Sequence, residues 1–449
     1  MNLVLLIFLL CATLAIVLSS NGYEILSPGS LFCFLFILGS ATLLVLGGGI
    51  DIALNTVGVI WGCSIAFGLG DMLASAIMSN RKARRASFHG SLIAEKLEPG
   101  TIDIRCTLIV CLIMVFAIAY SVLDLRGSAA TSGTLAEGAL VAHGVEKSVL
   151  SSLLNGFTSA VAYAFLAIFL FRYLFKQKID WQCIVVVLFY LPIPIVTGSR
   201  IQILFFVVVG VCIYTVLLSR KIVQKKEFCI KFIKNSILVL IAILIAFYCL
   251  GLLTGKSQSF KLFDIVLVYL GAPISGFDQC INGLFDQTLA NGVLGFKELS
   301  GLFNALGIKL NKSVFGFMVG GSYGYYPIVP NRGLYGNVYT ALFYWMCNFG
   351  LIGTLLTCFV LSFLFSIVKI RVSQFEAGSL APLCCFSIYY IPMFFLSIDD
   401  LFGDDLTYKR LLVAIFSFLI VRCFENGWLD WKPKLIKRSA ADSSDNYRV

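Results

Sequence analysis

Again and again in this chain about twenty uncharged, mostly apolar residues follow one another, as at 2–18, 106–122 and 201–218. A run of that length reads as a helix crossing a bilayer, because inside lipid every backbone N–H and C=O has to be paired within the segment. The runs are continuous rather than alternating, which argues against a lipid-spanning β-barrel. Spans are expected near 2–19, 31–49, 52–78, 106–124, 149–171, 182–197, 201–219, 235–254, 349–368, 380–397 and 410–424, about eleven in all. Residues are 59% hydrophobic and 13% charged, a balance foreign to water-soluble domains. The fold class is therefore all-α: a polytopic helical membrane protein. The first run has no basic residues before it and no small-residue cleavage site after it, so it reads as a span rather than a secretory signal.

A net charge of +10 raises the question of nucleic acid, but the cations cluster where a membrane protein puts them. Arg81, Lys82, Arg84 and Arg85 follow the third span, Arg172, Lys176 and Lys178 the fifth, and Arg220, Lys221, Lys225 and Lys226 the seventh. Lys369 and Arg371 follow the ninth, and Lys432, Lys434, Lys437 and Arg438 lie in the tail. All fall on one side, which the positive-inside rule assigns to the cytoplasm, and no nucleic-acid partner is expected. The polar segments then face outward: 124–148, the turn Thr197-Gly198-Ser199-Arg200, a long loop at 255–336, and 399–410. This divides the chain into a bundle at 1–254 with about eight spans, the loop at 255–336, three spans at 337–424 and a basic tail at 425–449. Most of the 15 cysteines sit in apolar runs as small apolar residues, and there are two histidines, so no metal site and no cofactor are expected. No phosphate-cradling glycine motif occurs in the inner loops, which argues against an ATP-driven pump.

The long loop ends in a stretch dense in Gly, Tyr and Asn with Arg332 as its cation. Prolines at 327 and 330 rule out a regular helix there. Residues 260–270, broken by Lys261 and Asp264, are too short to span and are expected to lie along the membrane surface. Arg200 stands at the outer end of a span, where it either snorkels to headgroups or grips a phosphate through its guanidinium fork. Arg332 is either a surface residue or a second cation for the same anion. Tyr323, Tyr325, Tyr326, Tyr335 and Tyr339 form either an interfacial belt or a platform for sugar rings. The outward candidates for a general base are Asp278, Asp286, Glu298, Asp399, Asp400, Asp404, Asp405 and His143, with geometry left to choose among them. Asp71, inside the third span, is expected to face the bundle interior as a packing and hydrogen-bonding residue.

The turn Thr197-Gly198-Ser199-Arg200 resembles the arginine-bearing turn of bacterial O-antigen polymerases (Wzy-type, oligosaccharide repeat unit polymerases) and of the related ligases. Asn337-Val338-Tyr339-Thr340, followed by Asn348-Phe349-Gly350-Leu351-Ile352-Gly353, is similar to the family pattern that closes the large periplasmic loop. Tyr269-Leu270-Gly271-Ala272-Pro273 with Phe277-Asp278 resembles its start. The resemblance implies a metal-independent membrane glycosyltransferase of GT-C-like architecture in the bacterial inner membrane, active on the periplasmic face. Its substrate would be an undecaprenyl-pyrophosphate-linked oligosaccharide in membrane lipid, with a chain-length regulator and a flippase as partners. Arg200, Arg332 and Asp278 would carry the chemistry, with Tyr323, Tyr325, Asn331, Asn337 and Tyr339 binding substrate. Many of these polymerases have Asp-Phe-Gly where this chain has Asn348-Phe349-Gly350, so Asn348 is given no role as a base. Ligases carry a histidine near the position of Asn337, and its absence favours polymerase over ligase. The rival from another class is a flippase or other transporter of lipid-linked oligosaccharide, which would carry its polar residues through the membrane midplane.

Overall fold

The computed structural model describes residues 1–22, 24–85, 102–129, 149–176, 178–196, 200–221, 262–282, 326–329, 334–336, 340–374, 380–398, 401 and 408–426. Helices dominate them. The first four are α1 (Asn2–Ser20), α2 (Pro28–Leu46), α3 (Leu54–Arg85) and α4 (Ile104–Ala129). Next come α5 (Val149–Phe171), α6 (Trp181–Tyr190), α7 (Pro192–Val196) and α8 (Arg200–Lys221). A short pair, α9 (Leu262–Val266) and α10 (Ala272–Ile281), is joined by a π-turn at Leu267–Gly271. A hairpin of β1 (Tyr326–Val329) and β2 (Leu334–Gly336) precedes α11 (Ala341–Gln374), α12 (Ala381–Tyr389), α13 (Ile391–Phe395) and α14 (Tyr408–Glu425).

Seven of these helices are long and apolar enough to cross a membrane. Their outer surfaces suit lipid: Phe8, Leu112 and Ile352 are exposed, Ile352 at 82%, while Asp71, Thr158, Ser362 and Ser366 are buried inside. An apolar exterior around polar interior contacts reverses the pattern of a soluble protein. Among the described residues, seven of the roughly eleven expected spans appear as helices of full spanning length. Trp181–Pro194 and Ala381–Phe395 are shorter apolar helices. Prolines at 192 and 392 cannot donate to the helix ladder, and each stands just after a break at Leu191 or Tyr390. The run at 235–254 lies outside the described residues.

The tightest seam joins α3 to α11, which run parallel. Ser362 donates to the Phe67 carbonyl at 2.6 Å and Ser366 donates to Asp71 Oδ1 at 2.7 Å, one turn further along both helices. Between them, a Cβ on Gly70 would lie 2.5 Å from the Phe359 carbonyl oxygen, so only glycine allows this approach. Asp71 is 2% exposed and also accepts from the Asn21 amide at 2.6 Å and the Gly29 N–H at 3.3 Å. It thus pins the α1–α2 turn to the seam, the packing role expected of it. Near the other end, Gly350 interrupts α11 with φ 63° and ψ −172°, a conformation open essentially to glycine. The Asn348-Phe349-Gly350 motif therefore marks a bend.

The bundle has two faces. At one, Asp51 lies between α2 and α3 and accepts from the N–H groups of Asn2 and Leu3, so it caps the start of α1. Partial burial pushes its carboxyl up, but the Met1 ammonium and the Leu3, Asn2 and Ile52 N–H groups outweigh this and hold it at about 2. The starts of α3, α5, α8, α11 and α14 share this Asp51 face with the ends of α2, α7 and α13. At the opposite face Lys369 pairs with Glu24 at 3.0 Å, Arg172 pairs with Asp180, and Arg422 pairs with Glu425. The helix ends followed by the basic clusters of the third, fifth, seventh and ninth expected spans therefore lie together at the Lys369 face.

Candidate functional site

The pair α9–α10 lies across the Asp51-face ends of α2 and α3. The Leu270 carbonyl reaches Gly39 of α2, and Gly271 lies against Leu43 one turn nearer the face. Asp278, on α10, then reaches α3. Its Oδ1 accepts from the Ala53 N–H at 2.8 Å, the Thr56 hydroxyl at 2.6 Å and the Asn282 amide at 3.1 Å. The first N–H groups of a helix have no partner within it, and a carboxylate there also meets the positive end of the helix dipole. Asp278 is thus a partly buried cap on α3 supplied from a distant part of the chain.

The β-hairpin packs on α10 and on the π-turn before it. Its strands pair antiparallel, Tyr326 with Gly336 and Val329 with Leu334, with an irregularity between Pro327 and Val329. The two strands that bracket Asn331 and Arg332 therefore stand beside the helix that carries Asp278. Arg332 and Asn331 themselves, with Tyr323, Tyr325, Asn337 and Tyr339, lie outside the described residues. From the hairpin the chain leads to Thr340, which is fully buried, and into α11, whose first N–H, that of Ala341, donates to the Leu396 carbonyl at 2.9 Å.

Arg200 is the first residue of α8, at the Asp51 face; its side chain lies outside the described part of the structure. Five residues into α8, Phe205 makes an edge-on contact with Phe395, the residue before Leu396. The start of α8 and the start of α11 are in this way tied to the same end of α13. The elements carrying Arg200 and Asp278 and the strands flanking Arg332 all end on one face.

A cation that the sequence reading did not select joins them. Arg410, near the start of α14, holds its guanidinium 4.9 Å from the centre of the Phe205 ring. The signal was present: Arg410 precedes an apolar run at the Asp51 face as Arg200 does. Below it, α5 presents Asn155, Ser159 and Tyr163 at four-residue intervals on one face. Ser159 Oγ lies 3.3 Å from the hydroxyl of Tyr190, the last residue of α6 before the break. Among the described residues no group of three or more His, Cys, Asp or Glu side chains is placed to hold a metal ion. Chemically, this face offers the Arg410 guanidinium for an anion and hydroxyl and amide groups for a polyol. Comparison of the chain with protein-family models, characterised proteins and solved structures returns no match.

Proposed function

We propose that the protein is an O-antigen polymerase of the bacterial inner membrane, a metal-independent glycosyltransferase of GT-C-like architecture acting on the periplasmic face. It joins oligosaccharide repeat units carried on undecaprenyl pyrophosphate. The observation that carries the reading is the gathering, on the face opposite the basic helix ends, of the elements bearing Arg200 and Asp278 with the strands flanking Arg332. In the reaction an acceptor sugar hydroxyl attacks C1 of the reducing-end sugar of the growing chain. The C1–O bond to pyrophosphate breaks, and undecaprenyl pyrophosphate leaves with the electron pair. Arg200 and Arg332 stabilise the charge that develops on the leaving group. Asp278 is the candidate base for the acceptor proton; with Oδ1 committed to the α3 cap, Oδ2 is the oxygen to receive it. A chain-length regulator and a flippase are the partners that the resemblance implies.

The test is a gel of surface lipopolysaccharide from a deletion strain. The long ladder should vanish while core bearing a single repeat unit remains. Loss of the single-unit band as well would overturn polymerase in favour of ligase or flippase. Arg200→Ala should abolish the ladder at a normal membrane level of the protein; an unchanged ladder removes Arg200 from the site.

A further inference from the structure

We infer that Arg410 and the polar stripe Asn155–Ser159–Tyr163 on α5 form a subsite for a lipid-linked glycosyl phosphate, the arginine binding phosphate and the stripe a sugar hydroxyl. The inference rests on the reading above and deepens it with residues that reading does not contain.

Two observations meet here. The first is a cation turned onto the bundle: the Arg410 guanidinium sits over Phe205, on the helix that begins at Arg200. A guanidinium presents a planar fork of donors that matches two phosphate oxygens at once. The second is an open acceptor. Asn155 is 8% exposed, and its Oδ1 is buried with no hydrogen-bond partner among the described residues. Its neighbour Gly156 faces Val413, three residues on from Arg410, so both groups belong to the Asp51-face end of the α5–α14 contact. One turn below Asn155, Ser159 Oγ meets the Tyr190 hydroxyl at 3.3 Å.

These groups select a ligand by chemistry. A buried amide oxygen inside a membrane protein calls for a donor. An ionised phosphate has none to give, whereas a sugar hydroxyl has one. A ligand that carries phosphate and sugar hydroxyls together meets both demands, and a lipid tail would bring it to this depth.

The experiment uses the full chain purified in detergent, with binding measured for farnesyl diphosphate, for its N-acetylglucosamine conjugate and for inorganic pyrophosphate. Arg410→Ala should weaken both lipid ligands about tenfold. Asn155→Ala should weaken the sugar conjugate about fivefold and leave farnesyl diphosphate unchanged, a split that lost packing would not produce. A lowered thermal midpoint with unchanged affinities in folded Arg410→Ala would overturn the inference. If that variant does not fold, Arg410→Lys decides: it keeps the charge and loses the fork, and unchanged affinity overturns the inference. Inorganic pyrophosphate binding as tightly as the lipid forms would overturn the lipid-linked assignment. The two readings fail separately. An intact ladder in the deletion strain sinks polymerase whatever Arg410 binds, and unchanged affinities with a lost ladder sink this subsite alone.

Discussion

Two aspartates show how much a carboxylate's meaning depends on where it is held. Asp71 is enclosed by donors from the α1–α2 turn and α11, so its hydrogen bonds lock three elements together. The sequence shows this much, because an acidic residue within an apolar run has to turn inward. Asp278 stood out among several outward acids only through the resemblance of Phe277-Asp278 to the start of the family's loop. Its cap on α3 was not legible, since Ala53 and Thr56 lie 225 and 222 residues away in the chain. The cap and the proposed base can be separated at this one residue. Asp278→Asn keeps an acceptor oxygen for the Ala53 and Thr56 donors but cannot take a proton. It should leave the thermal midpoint in place and abolish the polymer ladder. Asp278→Ala removes the cap as well and should cost about 1 kcal/mol of stability, read as a lower midpoint. A normal ladder in Asp278→Asn would leave the residue a cap and nothing more.

Among elements, the long spans could be read from the chain because a run of apolar residues is a local property. Their interruptions were harder. The stretches at 182–197 and 380–397 read as full spans, yet Pro192 and Pro392 divide each into a longer and a shorter helix. Gly350 lies in an apolar run, and only its positive φ reveals a bend. The α3–α11 seam is of the same kind: glycines at 62 and 70 look alike in sequence and differ in what stands opposite. At Gly62 a methyl would meet only the Leu355 side chain at 3.5 Å, an ordinary contact. At Gly70 it would strike the backbone of α11, which cannot rotate away. Gly70→Ala should therefore cost about 1–3 kcal/mol by forcing the helices apart, while Gly62→Ala should be near neutral. Thermal unfolding of the two variants in detergent checks the contrast, and equal midpoints would mean that the seam packs differently.

For the molecule as a whole, the proposed chemistry depends on which face meets which compartment. Undecaprenyl-linked repeat units would have to reach Arg200, Arg410 and Asp278 from the periplasm, which requires the Asp51 face to be outside. Charge supports that orientation: Arg172, Lys369 and Arg371 sit towards the ends of long helices at the opposite face. Cations flanking a span are retained on the cytoplasmic side during insertion. Asn55, exposed at the start of α3, and Asn426, exposed just past α14, report on the two faces. Each can be changed to cysteine and treated in intact cells with a membrane-impermeant maleimide, the labelling of the parent chain and its 15 cysteines being subtracted. Asn55→Cys should label in intact cells and Asn426→Cys only after lysis. The reverse pattern would turn the arginines towards the cytoplasm, away from the periplasmic face on which the proposed reaction runs. It would remove the polymerase reading while leaving the helix packing untouched.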